Sequence, residues 1–171
     1  MRDPLTLYKL IVLYMLSKVD FPLTTSQISD FILEKEYTTF LSLQQAIGEL
    51  TDTGLITSQT IRNRTHLSIT PEGLETLNFF RGNINEGIRN DIDVFFRQNE
   101  FSLRNDVSIL ANYHKNASGE YNAHLIAKDH GIDLVNITLS VPSEETAISI
   151  CDNWQAKNQD IYQYLIRQLF S

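Results

Sequence analysis

The stretch QTIRNRTHLSITPEG, residues 59–73, sets Arg62 and Arg64 on either side of Asn63 inside an apolar alternation. A guanidinium is a planar fork of donors that matches phosphate or carboxylate oxygens, so two of them at one turn suit an anionic backbone. Upstream, Thr38, Thr39, Ser42 and Gln45 supply hydroxyl and amide groups of the kind that meet base edges and phosphate oxygens. The chemistry these residues suggest is recognition of double-stranded DNA rather than the making or breaking of bonds. Other reactive types do not assemble. The four histidines and Cys151 show neither an i, i+4 pair nor Cys-x-x-Cys spacing, so no metal site is expected, and His114, His124 and His130 read as imidazoles on a half-solvated sheet and its turns. Nucleophile elbows, phosphate-cradling glycine loops and paired catalytic carboxylates are absent as motifs. The expectation is therefore no catalytic residue, no cofactor and no enzyme.

The formal net charge of −7 repels phosphate at long range and is unevenly shared, residues 1–82 summing to −2 and residues 83–171 to −5. Global charge governs steering, whereas contact depends on where the few positive groups sit. DNA binding would then need a local positive strip from Lys35 to the 62–64 turn. The single cysteine excludes an intramolecular disulfide framework, and with no export signal recognised the expected compartment is the cytoplasm. The apolar run 10–16 is far short of the roughly 20 residues that cross a bilayer, so no membrane partner is expected.

Residues 5–19 are helical in composition but apolar almost all round, which calls for burial on several sides, by the helix's own domain or in part by a second subunit. In LTTSQISDFILEK, Thr24 and Gln27 fit a capping box ahead of a helix starting near Thr25, with Ile28, Phe31 and Ile32 inward. Phe40, Leu43, Ile47 and Leu50 recur at helical spacing over residues 39–53, and Gly54 follows as a stop. The opposite face of that helix carries Ser42, Gln45 and Glu49. From Leu55 the period becomes two as far as Ile69, which predicts a β-hairpin with Arg62, Asn63 and Arg64 at its tip. Thr70 then caps a new helix with Pro71 at its first position. Residues 84–98 predict a longer helix striped with Ile84, Ile88, Ile92, Phe95 and Phe96, with Arg89, Asp93 and Arg97 in i, i+4 contact. Period two returns over 107–114, 121–128 and 132–141, three antiparallel strands in a meander. Ser143 can cap a helix that turns Ala147, Ile150, Cys151 and Trp154 inward, and a last helical stretch covers 160–170, with continuity at Asn158 left open.

Three helices, a hairpin and a fourth helix make the order of a winged helix-turn-helix. The fold class expected is α+β: a winged helix over 1–82, then over 83–171 a connecting helix and a three-stranded antiparallel sheet with C-terminal helices. In such a fold the third helix offers its amino-terminal half to the major groove and the hairpin lays basic tip residues along the backbone. That geometry gives Thr38, Thr39, Ser42 and Gln45 the groove and Arg62, Asn63 and Arg64 the backbone. The segment AIGELTDTGLITSQ (46–59) followed by RNRTHLSITPEG (62–73) resembles bacterial winged-helix regulators of the multiple-antibiotic-resistance and phenolic-acid-decarboxylase regulator types, matching their pattern at Leu50, Gly54, Leu55, Ile56, Arg64, Thr70 and Gly73. Over its full length the chain also resembles a Gram-positive family of unassigned function, in which a winged helix joins a small α/β part. The first resemblance implies DNA-binding transcriptional regulation; the second implies architecture and no mechanism.

Paired half-sites in DNA mirror two-fold protein symmetry, so a homodimer is expected, with the first helix and the 84–98 helix as its contact. Two other functions compete. A winged helix can dock a protein instead of DNA, which Glu49 on the third helix would suit, and the C-terminal part could hold a small-molecule effector against Phe101, Tyr113, Tyr121 or Trp154.

Overall fold

The computed structural model describes residues 4–170. Seven consecutive apolar residues, 10–16, leave that part of the first helix, α1 (Pro4–Ser17), no face to give to water, and Leu10 through Leu16 are each 4% exposed or less. Its cover comes from its own chain, from α3 (Phe40–Asp52), the strand β3 (Arg64–Ile69) and α4 (Pro71–Phe80). A second subunit is thus not needed to bury residues 10–16.

Between these lie β1 (Leu23–Thr24), α2 (Thr25–Glu34) and β2 (Ile56–Ile61); after them come a 3-10 turn (Arg81–Asn83), α5 (Glu86–Ser108), β4 (Ile109–Lys115), β5 (Tyr121–Asp129), β6 (Ile132–Val141) and α6 (Glu144–Phe170). The architecture is α+β, with two three-stranded sheets ordered β1-β3-β2 and β4-β5-β6. The pair β1–β3 and both ladders of the second sheet are antiparallel. The two-residue β1, which pairs Leu23 with Leu67, is too short to leave a periodic signal and went unpredicted.

The chain divides into two compact units. The first holds the residues up to Thr60 together with Arg64–Arg104, and the second holds Ile61–Asn63 with the residues from Asn105 onward. The expected boundary at 82/83 moves to 104/105 because α5 packs on the first unit. Tyr14 Oη donates to Asp93 Oδ1 at 2.8 Å, Tyr37 Oη donates to Asp91 Oδ2 at 2.6 Å, and the Phe31 and Phe95 rings lie 4.6 Å apart. Asp93 also pairs with Lys18 at 3.5 Å. Its carboxylate therefore serves α1 and the residue that follows it, rather than the expected ladder with Arg89 and Arg97. The α5 helix outruns its expected end at residue 98 because Leu103 and Val107 prolong the stripe of Ile92 and Phe96. Arg104, within this extension, pairs with Glu100 at i, i+4 and with Asp20.

Thr24 and Gln27 close the capping box of α2 in both directions. Thr70 accepts from Gly73 N at 3.0 Å while its hydroxyl reaches the Gly54 and Leu55 carbonyls. Gly73 sits so close to β2 that an added Cβ would stand 2.0 Å from Leu55 O. The Thr-x-x-Gly spacing is thereby explained: threonine starts α4, and glycine lets the helix approach the entry to the hairpin.

In the second unit, α6 covers one side of the sheet, chiefly over β4 and β5. Odd-numbered strand residues face it, so Ala123, Leu125, Ala127 and Val135 form a core with Cys151 and Trp154. Trp154 Nε1 donates to Ile126 O at 3.0 Å. The helix runs unbroken past Asn158, whose side-chain amide donates back to the Trp154 and Gln155 carbonyls, while Ile161 and Tyr162 carry the apolar side forward.

Candidate nucleic-acid interface

Thr39, with extended backbone (φ −89°, ψ 163°), is the N-cap of α3 and accepts from Ser42 N at 3.3 Å. Its hydroxyl also donates to Ser42 Oγ at 3.2 Å, so two of the expected groove-reading hydroxyls hold each other. No acidic residue stands in the first turn of α3. The positive end of its dipole and its unpaired N–H groups are accordingly not cancelled there. Gln45 is exposed one turn further along, whereas Thr38 and Ser42 are half-buried.

The outward side of this turn holds two apolar residues, one misplaced by periodicity and one not assigned by it. Phe40, counted with the buried face, is 54% exposed, and Leu41 is 79% exposed. The buried row is Leu43, Ala46, Ile47 and Leu50. At about 100° per residue Leu41 falls opposite Leu50 and close to Gln45, and that phase could have been read from the sequence. Glu49, expected to oppose phosphate, is tied to Lys9 of α1 at 3.4 Å, and its second oxygen is buried without a hydrogen-bond partner.

Arg62 and Asn63 both adopt positive φ, 47° and 67°, the signature of a two-residue type I′ hairpin turn. Asparagine tolerates that region; arginine does so at a cost of about 1 kcal/mol or more. Arg64 and Asn63 are exposed, and Arg64 forms no ion pair among the described residues. Arg62 differs. In the second unit, with which the 61–63 turn is grouped, its Nη1 lies 3.0 Å from Asp152 Oδ1 and its guanidinium 5.9 Å from the centroid of the Tyr113 ring. Tyr113 Oη in turn donates to Glu144 at 3.2 Å. The three tip residues are therefore not equivalent: one charge is neutralised in place and one is free.

Residues 8–169 match the family described as a domain of unknown function, DUF4364. The chain belongs to that family. No curated protein and no solved structure matches it. DUF4364 carries no assigned activity, so the chemistry of this chain has to come from its own residues. Among the described residues no three His, Cys, Asp or Glu groups gather where a metal could be held, and no helix is long and apolar enough to cross a membrane. His124 and His130 are engaged locally, with Asn136 at 2.6 Å and Asp129 at 2.7 Å. Burial raises the Cys151 thiol above its ordinary value, which keeps it protonated and inert near neutral pH. Of the aromatics expected to line an effector pocket, Trp154 is buried in the core of the second unit and Phe101 is 86% exposed on α5.

Proposed function

We propose that the first unit is a winged helix-turn-helix and that the protein is a cytoplasmic, DNA-binding transcriptional regulator acting as a homodimer. The observation behind this reading is the amino end of α3, capped by Thr39, free of acids in its first turn and flanked in sequence by the exposed Gln45. A helix end of this kind accepts a phosphate on its N–H groups while the next turn meets base edges. Thr38, Thr39, Ser42 and Gln45 take the groove, and the apolar Leu41 suits a thymine methyl group. Arg64 and Asn63 take the backbone. Arg62 contributes less than its neighbour, because Asp152 already occupies its guanidinium.

The test is binding of the purified protein to fragments it selects from genomic DNA, followed by fluorescence anisotropy at several salt concentrations. Arg64→Ala should weaken every sequence alike and reduce the log–log salt slope by about 1, whereas Gln45→Ala should cost about 1–3 kcal/mol on the preferred sequence only. A wild-type protein that selects nothing, or an Arg64→Ala variant with unchanged affinity and slope, would refute the reading.

A second reading rests on Phe40 and Leu41, an exposed apolar pair at the same helix end. It makes α3 a docking helix for a partner protein, with Glu49 beside it. Leu41→Lys separates the two, since an added cation strengthens non-specific, salt-dependent DNA binding and disrupts an apolar protein contact.

A further inference from the structure

The two edges of the second sheet are unlike. The β4 edge is short, ends on His114-Lys115, and has its α6-facing side covered. The β6 edge spans Ile132–Val141, pairs on its β5 side alone, and lies where α6 gives least cover. Among the described residues no strand lies beside its outer row of N–H and C=O groups. Solitary edges are normally guarded by lysine, proline, a bulge or a covering element. On β6 the bulge comes early: Lys128 pairs with Asp133 and Ala127 with Val135, which leaves Leu134 as the extra residue. From Val135 to Val141 the strand is regular, uncharged and free of proline. Leu139, on the α6 side, is 41% exposed.

This regular stretch matches itself. Two antiparallel strands related by a two-fold axis put residues of the same face opposite one another. With the axis at Thr138, Val135 meets Val141 of a second copy and Ile137 meets Leu139 on the α6 side. On the other side Asn136 meets Ser140 and Thr138 meets itself. Apolar residues meet apolar ones and hydroxyls meet hydroxyls or an amide, and each such pair is mildly favourable. Asp133 falls outside the overlap. Two chains each carrying −7 can thus approach along this seam without opposing like charges.

We propose that β6 is the homodimer seam: two copies pair antiparallel over residues 135–141 about an axis at Thr138, forming one six-stranded sheet with both α6 helices on the same face. Only the choice of a second copy as occupant rests on the homodimer reading above; DNA plays no part in it. The backbone row calls for a strand, and the self-matching faces call for this strand.

The test is sedimentation equilibrium of the full chain without DNA. Wild type is expected to be a dimer, and Thr138→Lys, which sets two ammonium groups against each other at an exposed position, should weaken it about tenfold or more with unchanged circular dichroism. Thr138→Cys should form a dimer-linking disulfide on mild oxidation, because opposed Cα atoms in either antiparallel pair type lie within the range a disulfide spans. Ser118→Cys, in the turn between β4 and β5, should not. A monomeric wild type, or a dimer indifferent to Thr138→Lys, overturns the proposal, and a monomer that captures an extended peptide on the same edge would assign the edge to another protein. Failure of DNA binding in a protein that dimerises through β6 would count against the DNA reading alone.

Discussion

The first unit wraps four helices and a small sheet around one helix whose residues 10–16 are buried on every side, whereas the second lays one helix across one face of one sheet. The core of the first runs from α1 through Phe31, Leu43, Leu50 and Leu67 to Phe96; that of the second is Ala123, Leu125, Ala127, Val135, Cys151 and Trp154. Stability from apolar burial scales with the area removed from water, so the second unit has much less to set against its chain entropy. Like the first unit, it leaves apolar surface outside. Ile132 and Leu139 on β6 and Tyr164, Ile166, Leu169 and Phe170 at the end of α6 are all exposed. A unit with a thin core and a bare strand edge gains more from a second copy than one with a larger core, although the first unit too leaves Phe40, Leu41, Phe79 and Phe101 exposed. That contrast is the reason the proposed seam is sought on β6 rather than on α1.

The sharpest way to break the comparison uses the only tryptophan in the chain, Trp154, which lies in the thin core. Its fluorescence reports the second unit, while far-ultraviolet circular dichroism is weighted toward the helix-rich first unit. In urea the fluorescence transition should precede the dichroism transition, and it should move to higher urea as protein concentration rises if β6 pairs. Coincident transitions independent of concentration would show the two units to be one cooperative block. Trp154→Ala removes the largest side chain of this core and a hydrogen bond to Ile126 O, at a cost of about 3–5 kcal/mol. Amide exchange should then lose protection across β4, β5 and β6 and keep it in α1.

A smaller and opposite effect is expected from Gly73→Ala. Its new methyl group would be driven onto Leu55 O, and forcing α4 off β2 costs about 3 kcal/mol by overpacking. Because Gly73 belongs to the first unit, the dichroism midpoint should fall while Trp154 fluorescence unfolds at its wild-type urea concentration. A shift of both would mean that the units share their stability.

Much of this fold was legible because local chemistry decided it. The capping box at Thr24, the N-cap at Thr70, the turn at Asn63 and the three strands of the second sheet each follow from a few neighbouring residues. The misreadings arose where distant partners decided. Nothing near Arg62 announces Asp152, which lies ninety residues away, and nothing near Asp93 announces Tyr14. The end of α5 was misplaced because Arg104-Asn105-Asp106 has the composition of a turn, yet Leu103 and Val107 keep the helical period through it. Phe40 was misassigned because aromatic residues at the start of a stripe look like core, although the first turn of a helix often overhangs what the helix packs on. Of the candidate site, the third helix and the turn were readable; the cap at Thr39 and which arginine stays free were not.

The least perturbing prediction uses pH, and it bears only on the first unit. Burial, and then the hydrogen bond to Asp91, raise the Tyr37 phenol well above its ordinary value near 10. Tyr14 is raised in the same way, by burial and then by its bond to Asp93. When a folded-state pKa lies above the unfolded one, the unfolded chain gives up its proton first as pH rises, so stability falls with pH across the interval between the two. The contribution of the Tyr37–Asp91 contact is therefore complete below about pH 10 and is lost as pH climbs toward the folded value. Tyr37→Phe cannot ionise and has no such interval. It should be less stable than wild type at pH 7, because Asp91 loses a donor, and its urea midpoint should decline less steeply above pH 10. The Trp154 transition should be the same in both proteins at each pH. Parallel alkaline slopes for wild type and Tyr37→Phe would show that this hydroxyl does not hold α5 to the first unit, and the boundary at 104/105 would then rest on Tyr14 and the Phe31–Phe95 contact.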